Sequence, residues 1–289
     1  MTHAERIEKA LEIAVSLARA DDAAPSLAAA IRYAVFPGGA RVRPHLCLAV
    51  AAACGNDAPD LADGAGAAIE LLHCASLVHD DLPCFDDADL RRGKQTVHVK
   101  YGVPLGLLTG DALIVMAFET LARYGAMYPS RLAPLISIIA KGVGAPYGIV
   151  AGQAWECETS VPVDAYHRAK TGALFVAATT GGAIASGADP QPWRALGEGI
   201  GAAYQIADDL LDALGSSEES GKTSGRDIAL ARPSVVTSLG VEGAIALLED
   251  SLSEAAASIP DCHGAKALRE TVLIQATRLV PKQLARSAA

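Results

Sequence analysis

Basic residues are in deficit: 24 Lys and Arg stand against 33 Asp and Glu, for a net charge of −9 over 289 residues. An acidic chain is a poor match for a phosphate backbone, which argues against a nucleic-acid partner. No uninterrupted apolar run reaches the ~18 residues a membrane span needs, and the start, Met1-Thr-His-Ala-Glu-Arg, lacks a basic-then-apolar leader pattern. Aromatics are only 4% of the chain, yet hydrophobic residues reach 51% and charged residues 20%, a globular composition rather than a disordered one. The positive mean hydropathy reflects alanine. The six cysteines, at 47, 54, 74, 84, 157 and 262, form no Cys-x-x-Cys pair. They read as buried free thiols in a reducing cytoplasm.

β-Branched alternation is scarce, while apolar residues recur at helical spacing. The spacing predicts helices around 4–20, 24–35, 43–55, 59–80, 104–126, 130–155, 163–186, 191–213, 233–257 and 264–280. Glycine and proline punctuate the gaps. No 30–45-residue repeat is visible, which excludes a solenoid. One all-α domain over 1–289 is the economical reading. The segment 216–225 is polar, glycine-bearing and non-periodic, and is expected to be a mobile surface loop serving as a lid.

Two aspartate clusters stand out. The first runs from Asp80 to Asp89 with five carboxylates in ten residues. The apolar segment before it should be a buried helix that ends near Leu82, because Leu82 precedes a proline. Carboxylates at a helix C-terminus face the negative end of its dipole, so a cation should compensate them. The second cluster is Gln205-Ile206-Ala207-Asp208-Asp209-Leu210-Leu211-Asp212. Asp208 and Asp212 share a helix face with Gln205 beside them. One such pair is ordinarily a solvated face or a cap. Two clusters, each closing a long apolar helix and lacking His or Cys partners, suit a hard cation such as Mg²⁺ shared with a polyphosphate. Arg41, Arg43, Arg91, Arg92, Lys94, Lys170 and Lys222 supply cations for an anionic ligand. His79-Asp80 also fits a metal phosphohydrolase, but the other histidines show no matching pattern, and His79 reads as a core histidine.

From about Ala30 to Gly240 the chain resembles the trans-type polyprenyl diphosphate synthases, most of all the bacterial geranylgeranyl diphosphate synthases. The resemblance rests on Phe36-Pro37-Gly38-Gly39-Ala40-Arg41-Val42-Arg43-Pro44, His73 through Arg92, Gly110-Asp111-Ala112-Leu113, Gly152-Gln153, Lys170-Thr171-Gly172 and 205–212. It implies an all-α fold around a central cavity, a homodimer, and Mg²⁺-dependent head-to-tail condensation of isopentenyl diphosphate with an allylic diphosphate (dimethylallyl, geranyl or farnesyl). Carried over by position, Asp80, Asp86, Asp208 and Asp212 bind about three Mg²⁺, with Asp81 and Asp209 completing the two catalytic motifs. Arg91, Lys170 and Lys222 hold the allylic diphosphate. Thr171 and Gln205 turn oxygens toward the developing cation. Arg43, His73 and Arg92 hold isopentenyl diphosphate. The family's usual lysine is Ala40 here, and its later Lys-x-Thr is Arg232-Pro233-Ser234, which keeps a cation and a hydroxyl.

One turn before Asp80, Ala75 and Ser76 are small. By analogy, farnesyl synthases commonly carry an aromatic at this level. An open tunnel there predicts a C20 product, with Leu71, Leu72, Met116 or Phe118 closing it deeper. The alternatives are a farnesyl diphosphate synthase, a class I terpene cyclase and an inactive subunit of a heteromeric synthase. A cyclase usually carries a different second motif, and an inactive subunit tends to lose one.

Overall fold

The computed structural model describes residues 1–20, 22–36, 38–214 and 234–279. The segment 216–225, with Lys222 and Arg232, lies outside the described residues.

Helices follow the apolar periodicity closely. Helix α1 (His3–Ser16) opens on a reciprocal cap between Thr2 and Glu5, which satisfies two free N–H groups of its first turn. Helices α2 (Pro25–Val35) and α4 (Pro59–Asp80) start on proline, whose missing N–H costs nothing in the first turn. Between them α3 (Val42–Ala53) starts from Arg41, a non-glycine residue at φ 48°. That geometry is held by three bonds from its guanidinium, to Glu8 (2.8 Å), Glu70 (2.9 Å) and the Val35 carbonyl (2.7 Å). Arg41 is therefore a structural cation.

The chain continues through α5 (Val97–Tyr101), α6 (Val103–Gly125), α7 (Pro129–Val143), α8 (Ile149–Trp155) and α9 (Val163–His167). A π-helical turn, Arg168–Gly172, leads directly into α10 (Ala173–Ala185). Helix α11 (Arg194–Leu214), α12 (Val235–Ala257) and α13 (Ala265–Leu279) follow. The segment expected as one helix over 130–155 is two, α7 and α8. A two-stranded hairpin, β1 (Leu90–Arg91) and β2 (Lys94–Gln95), was not expected. Apolar periodicity cannot reveal a two-residue strand with no core-facing side chain.

Helix α4 forms the centre. Leu61, Ile69, Leu71 and Leu72 are at most 1% exposed, each contributing about 2 kcal/mol of apolar burial. It packs against α3, α6 and α10. A second apolar cluster joins α11 to α12 through Ala203, Ile206, Ala207, Leu210, Ala244, Leu248 and Leu252. Helices α4 and α6 are long and apolar enough, by length and composition, to cross a membrane. The polar residues inside them interrupt the apolar run, so the sequence alone shows no span. Most of α4 is buried in the core, whereas α6 leaves Val103, Leu107, Leu108 and Val115 exposed. All six cysteines are free, but Cys84 and Cys157 are exposed, so the expectation of buried thiols fails at these two.

Candidate active site

Helix α4 ends at Asp80, as the proline at 83 requires. The chain then folds back through backbone hydrogen bonds, Asp86 N–H donating to the Asp80 carbonyl (2.9 Å) and Ala88 N–H to Asp81 (3.1 Å). This turn returns Asp86 to Asp80. Helix α8 places Glu156 opposite, and carboxylate oxygens of Asp80, Asp86 and Glu156 lie within 4.8 Å of one another. Three half-buried carboxylates this close are a donor set for a hard divalent cation.

The compensating cations come from two directions. The hairpin delivers Arg91, whose Nε donates to both oxygens of Asp81 (2.8 and 2.9 Å), with Nη2 3.4 Å from Asp80. Burial pushes the Asp81 carboxyl above the usual carboxylate range, and Arg91 pulls it back only in part. Asp81 thus faces Arg91 rather than the three-carboxylate group. The π-helical turn delivers Lys170, 2.5 Å from Glu156 Oε1 and 3.4 Å from Asp80 Oδ1. Tyr166 donates to the same Glu156 oxygen (2.6 Å), and Gln153 Nε2 donates to the other (3.0 Å).

Two glycines make that turn possible. A Cβ on Gly152 would run into the Lys170 backbone, and one on Gly201 would lie 2.7 Å from the Gly172 Cα. Helices α8 and α11 therefore clamp the turn at backbone contact, which fixes Lys170 and Thr171. Thr171 Oγ1 donates to Gln205 Oε1 (2.7 Å), and Gln205 Nε2 donates to Asp209 (2.9 Å). Asp209 is buried, whereas Asp208 is exposed and Asp212 half-buried on the same helix.

A second group gathers beside α4. Arg43 is buried, its guanidinium stacked 4.3 Å over Phe175, with Nη1 3.4 Å from His73 Nε2 and with Nε unpartnered. Burial, then the charges of Arg43, Arg92, Arg91 and Arg41, hold the His73 imidazole well below its ordinary value, so it is neutral. Arg92 is exposed and donates to the Gly38 carbonyl (2.6 Å). A cavity of about 40 Å³ lies between α2, α4 and the hairpin, lined by Arg41, Glu70, His73, Arg91 and Arg92 among others. It does not include the three-carboxylate group.

Ala75 is buried on α4 beneath these groups, and Ser76 is half-buried with its hydroxyl bonded to the His73 carbonyl (2.8 Å). Met116 is buried on α6, and Phe118 packs partly buried against the same core. Ala40 is exposed. His79, read as a core histidine, is instead 25% exposed and lies across Gly110, 3.6 Å from Asp111. Sequence reasoning missed Glu156 and Tyr166. The available signal was Glu156 at i+3 from Gln153, one turn along the same helix.

The arrangement could hold a divalent cation together with an anionic ligand, in an all-α frame. The polyprenyl synthetase model matches residues 24–281, and the chain belongs to that family. A geranylgeranyl diphosphate synthase of Cereibacter sphaeroides is 54% identical over 99% of both chains. One of Rhodobacter capsulatus is 53% identical over 96% of both. Among solved structures, a geranyltransferase of Helicobacter pylori complexed with magnesium and isoprenyl diphosphate aligns with a TM-score of 0.79. Its identity is 29%, covering 96% of this chain and 98% of that one. An FPP/GFPP synthase of Zymomonas mobilis aligns at 0.78 with 32% identity, over 93% and 95% of the chains.

Proposed function

We propose that the protein condenses isopentenyl diphosphate with allylic diphosphates, head to tail, to give geranylgeranyl diphosphate, as a cytoplasmic, single-domain enzyme of isoprenoid and carotenoid biosynthesis. One observation carries the reading. The same turn that sets Lys170 between Asp80 and Glu156 sets Thr171 against Gln205. An anion-binding group and a pair of neutral oxygen dipoles are thereby fixed side by side.

Asp80 and Asp86 would hold Mg²⁺, and the face carrying Asp208 and Asp212 would hold the rest of about three ions. Bound there, the ions neutralise the leaving diphosphate. Lys170, with Arg91 and Lys222, orients the allylic diphosphate, and Arg43, His73, Arg92 and Arg232 orient isopentenyl diphosphate. The allylic C1–O bond breaks and the diphosphate leaves with the electron pair. The isopentenyl double bond then attacks C1, and the adduct loses a proton. Oxygens of Thr171 and Gln205 stabilise the cation without capturing it. The small side chains of Ala75 and Ser76 support a C20 end point, as do the names of the two bacterial relatives.

The exposed stripe Val103, Leu107, Leu108 and Val115 on α6 recurs at helical spacing and suits a second copy of the chain as its cover. Sedimentation of the protein beside Val115→Glu tests the homodimer. For the reaction, labelled isopentenyl diphosphate is supplied with dimethylallyl, geranyl or farnesyl diphosphate, with and without Mg²⁺. C20 from all three primers, only with Mg²⁺, is the expected result. Cyclic hydrocarbon, C15 alone, or no incorporation would each replace the proposal with one of its alternatives.

A further inference from the structure

Asp209 differs from its two motif partners. It is 7% exposed, and each oxygen accepts one N–H: Oδ1 from Gln205 Nε2 (2.9 Å) and Oδ2 from the backbone of Val235 (2.7 Å), the first residue of α12. Among the described residues both of its donors are neutral, and it lies apart from the Asp80, Asp86 and Glu156 group.

We propose that Asp209 is a positioning residue that sets the direction of a hydrogen-bond row, Val235–Asp209–Gln205–Thr171, so that the hydroxyl of Thr171 presents lone pairs rather than its proton to the substrate. This rests on the prenyl-transfer reading of the site.

The row can run only one way. The Val235 N–H is a fixed donor, and a carboxylate only accepts. Asp209 therefore takes the Gln205 side chain by its NH₂ end. The Gln205 carbonyl oxygen is left toward Thr171, and it can only accept, so Thr171 donates to it (2.7 Å). Every proton in the row between Thr171 and Asp209 points toward Asp209. The far end, at Thr171, is left with oxygen lone pairs. Those are the dipoles that favour a developing allylic cation. Reversal would turn the Thr171 proton toward the cation.

Asp209→Asn enforces that reversal. Val235 N–H claims the oxygen of the introduced amide, so its NH₂ must face Gln205. The Gln205 amide flips, its NH₂ donates to Thr171, and the Thr171 proton swings outward. Volume and bond count are preserved. Adding Gln205→Glu restores the original direction, because the carboxylate introduced there accepts both from the amide introduced at 209 and from Thr171.

The experiment compares wild type, Asp209→Asn, Gln205→Glu/Asp209→Asn and Asp208→Asn. It measures kcat, KM, the Mg²⁺ concentration for half-activity, and binding of a non-ionising allylic thiodiphosphate. For Asp209→Asn, kcat should fall about a hundredfold, the scale of losing one preorganised dipole. KM, the Mg²⁺ requirement and analogue binding should stay within about twofold, because the ground state carries no cation. The double variant should regain at least about tenfold of the lost turnover. Asp208→Asn should instead raise the Mg²⁺ requirement. Wild-type kcat in Asp209→Asn, or a loss that saturating Mg²⁺ repairs, overturns the proposal. If Asp209→Asn does not fold, the double variant decides: turnover within about tenfold of wild type supports the row, and a larger loss rejects it. Failure of the prenyl-transfer reading is separately visible, as wild type would then form no prenyl product.

Discussion

At the end of α4, Asp81 is met by Arg91 and Asp80 by Arg91 and Lys170. On α11, Asp209 is met by an amide and a backbone N–H. Both motifs crowd carboxylates near a helix C-terminus, where the dipole adds to their repulsion. The first is balanced by cationic side chains, which an incoming diphosphate and its cations can draw away. The second divides its labour: Asp208 and Asp212 lie on the more exposed face, while Asp209 is locked into the frame. Motif residues of one type therefore differ in whether they are met by charged side chains, held by neutral donors or carried on a more exposed face.

The largest expected effect falls on the exposed face of the second motif. Asp208→Ala should lower turnover by more than about a hundredfold while leaving the helical fold intact by circular dichroism. Relieved repulsion can even raise the melting temperature of the ligand-free protein. Normal activity at saturating Mg²⁺ would remove Asp208 from the metal site and break the comparison.

Next, Arg91→Leu strands the buried Asp81 carboxylate. Leaving one partner of a buried pair costs about 3 kcal/mol, read from urea unfolding. Asp209→Leu should cost about 1–2 kcal/mol, since it strands only neutral donors. Equal costs would erase the distinction between charged and neutral compensation.

Ala75→Phe probes the helix that carries the first motif, one turn before it. A ring at this buried position overlaps a packed wall and should shorten the main product from C20 to C15. Product analysis beside wild type decides, and C20 from the variant would show that Ala75 does not line the tail.

The smallest effect concerns pH. His73 is held well below 6.5 in the fold, by burial first and by Arg43 next. Below pH 6.5 the unfolded chain binds a proton at this residue that the folded chain does not, so stability falls as the pH drops through that value. His73→Gln should flatten this acid-side slope, while His3 and His45 keep their part of it in both proteins. An unchanged slope would remove His73 from the buried basic group.

Much of this was legible in the sequence. Apolar spacing marked nearly every long helix, because burial of one face repeats every 3.6 residues whatever the fold. Proline at 83 fixed the end of α4, and the unfavourable dipole at Asp80 predicted a cationic partner, which proved to be both Arg91 and Lys170. Tertiary structure decided the rest. Nothing local separates Asp81 from Asp80, and helical spacing sets Asp209 apart from Asp208 and Asp212 without saying what it meets; the partners are what α12, the hairpin and α8 bring against them. Glu156 and Tyr166 belong to the site only because Gly152 and Gly201 let α8 and α11 close on the π-helical turn. A local pattern encodes which side chains share a face, whereas a site depends on which faces meet, and close packing settles that only when the whole chain is folded.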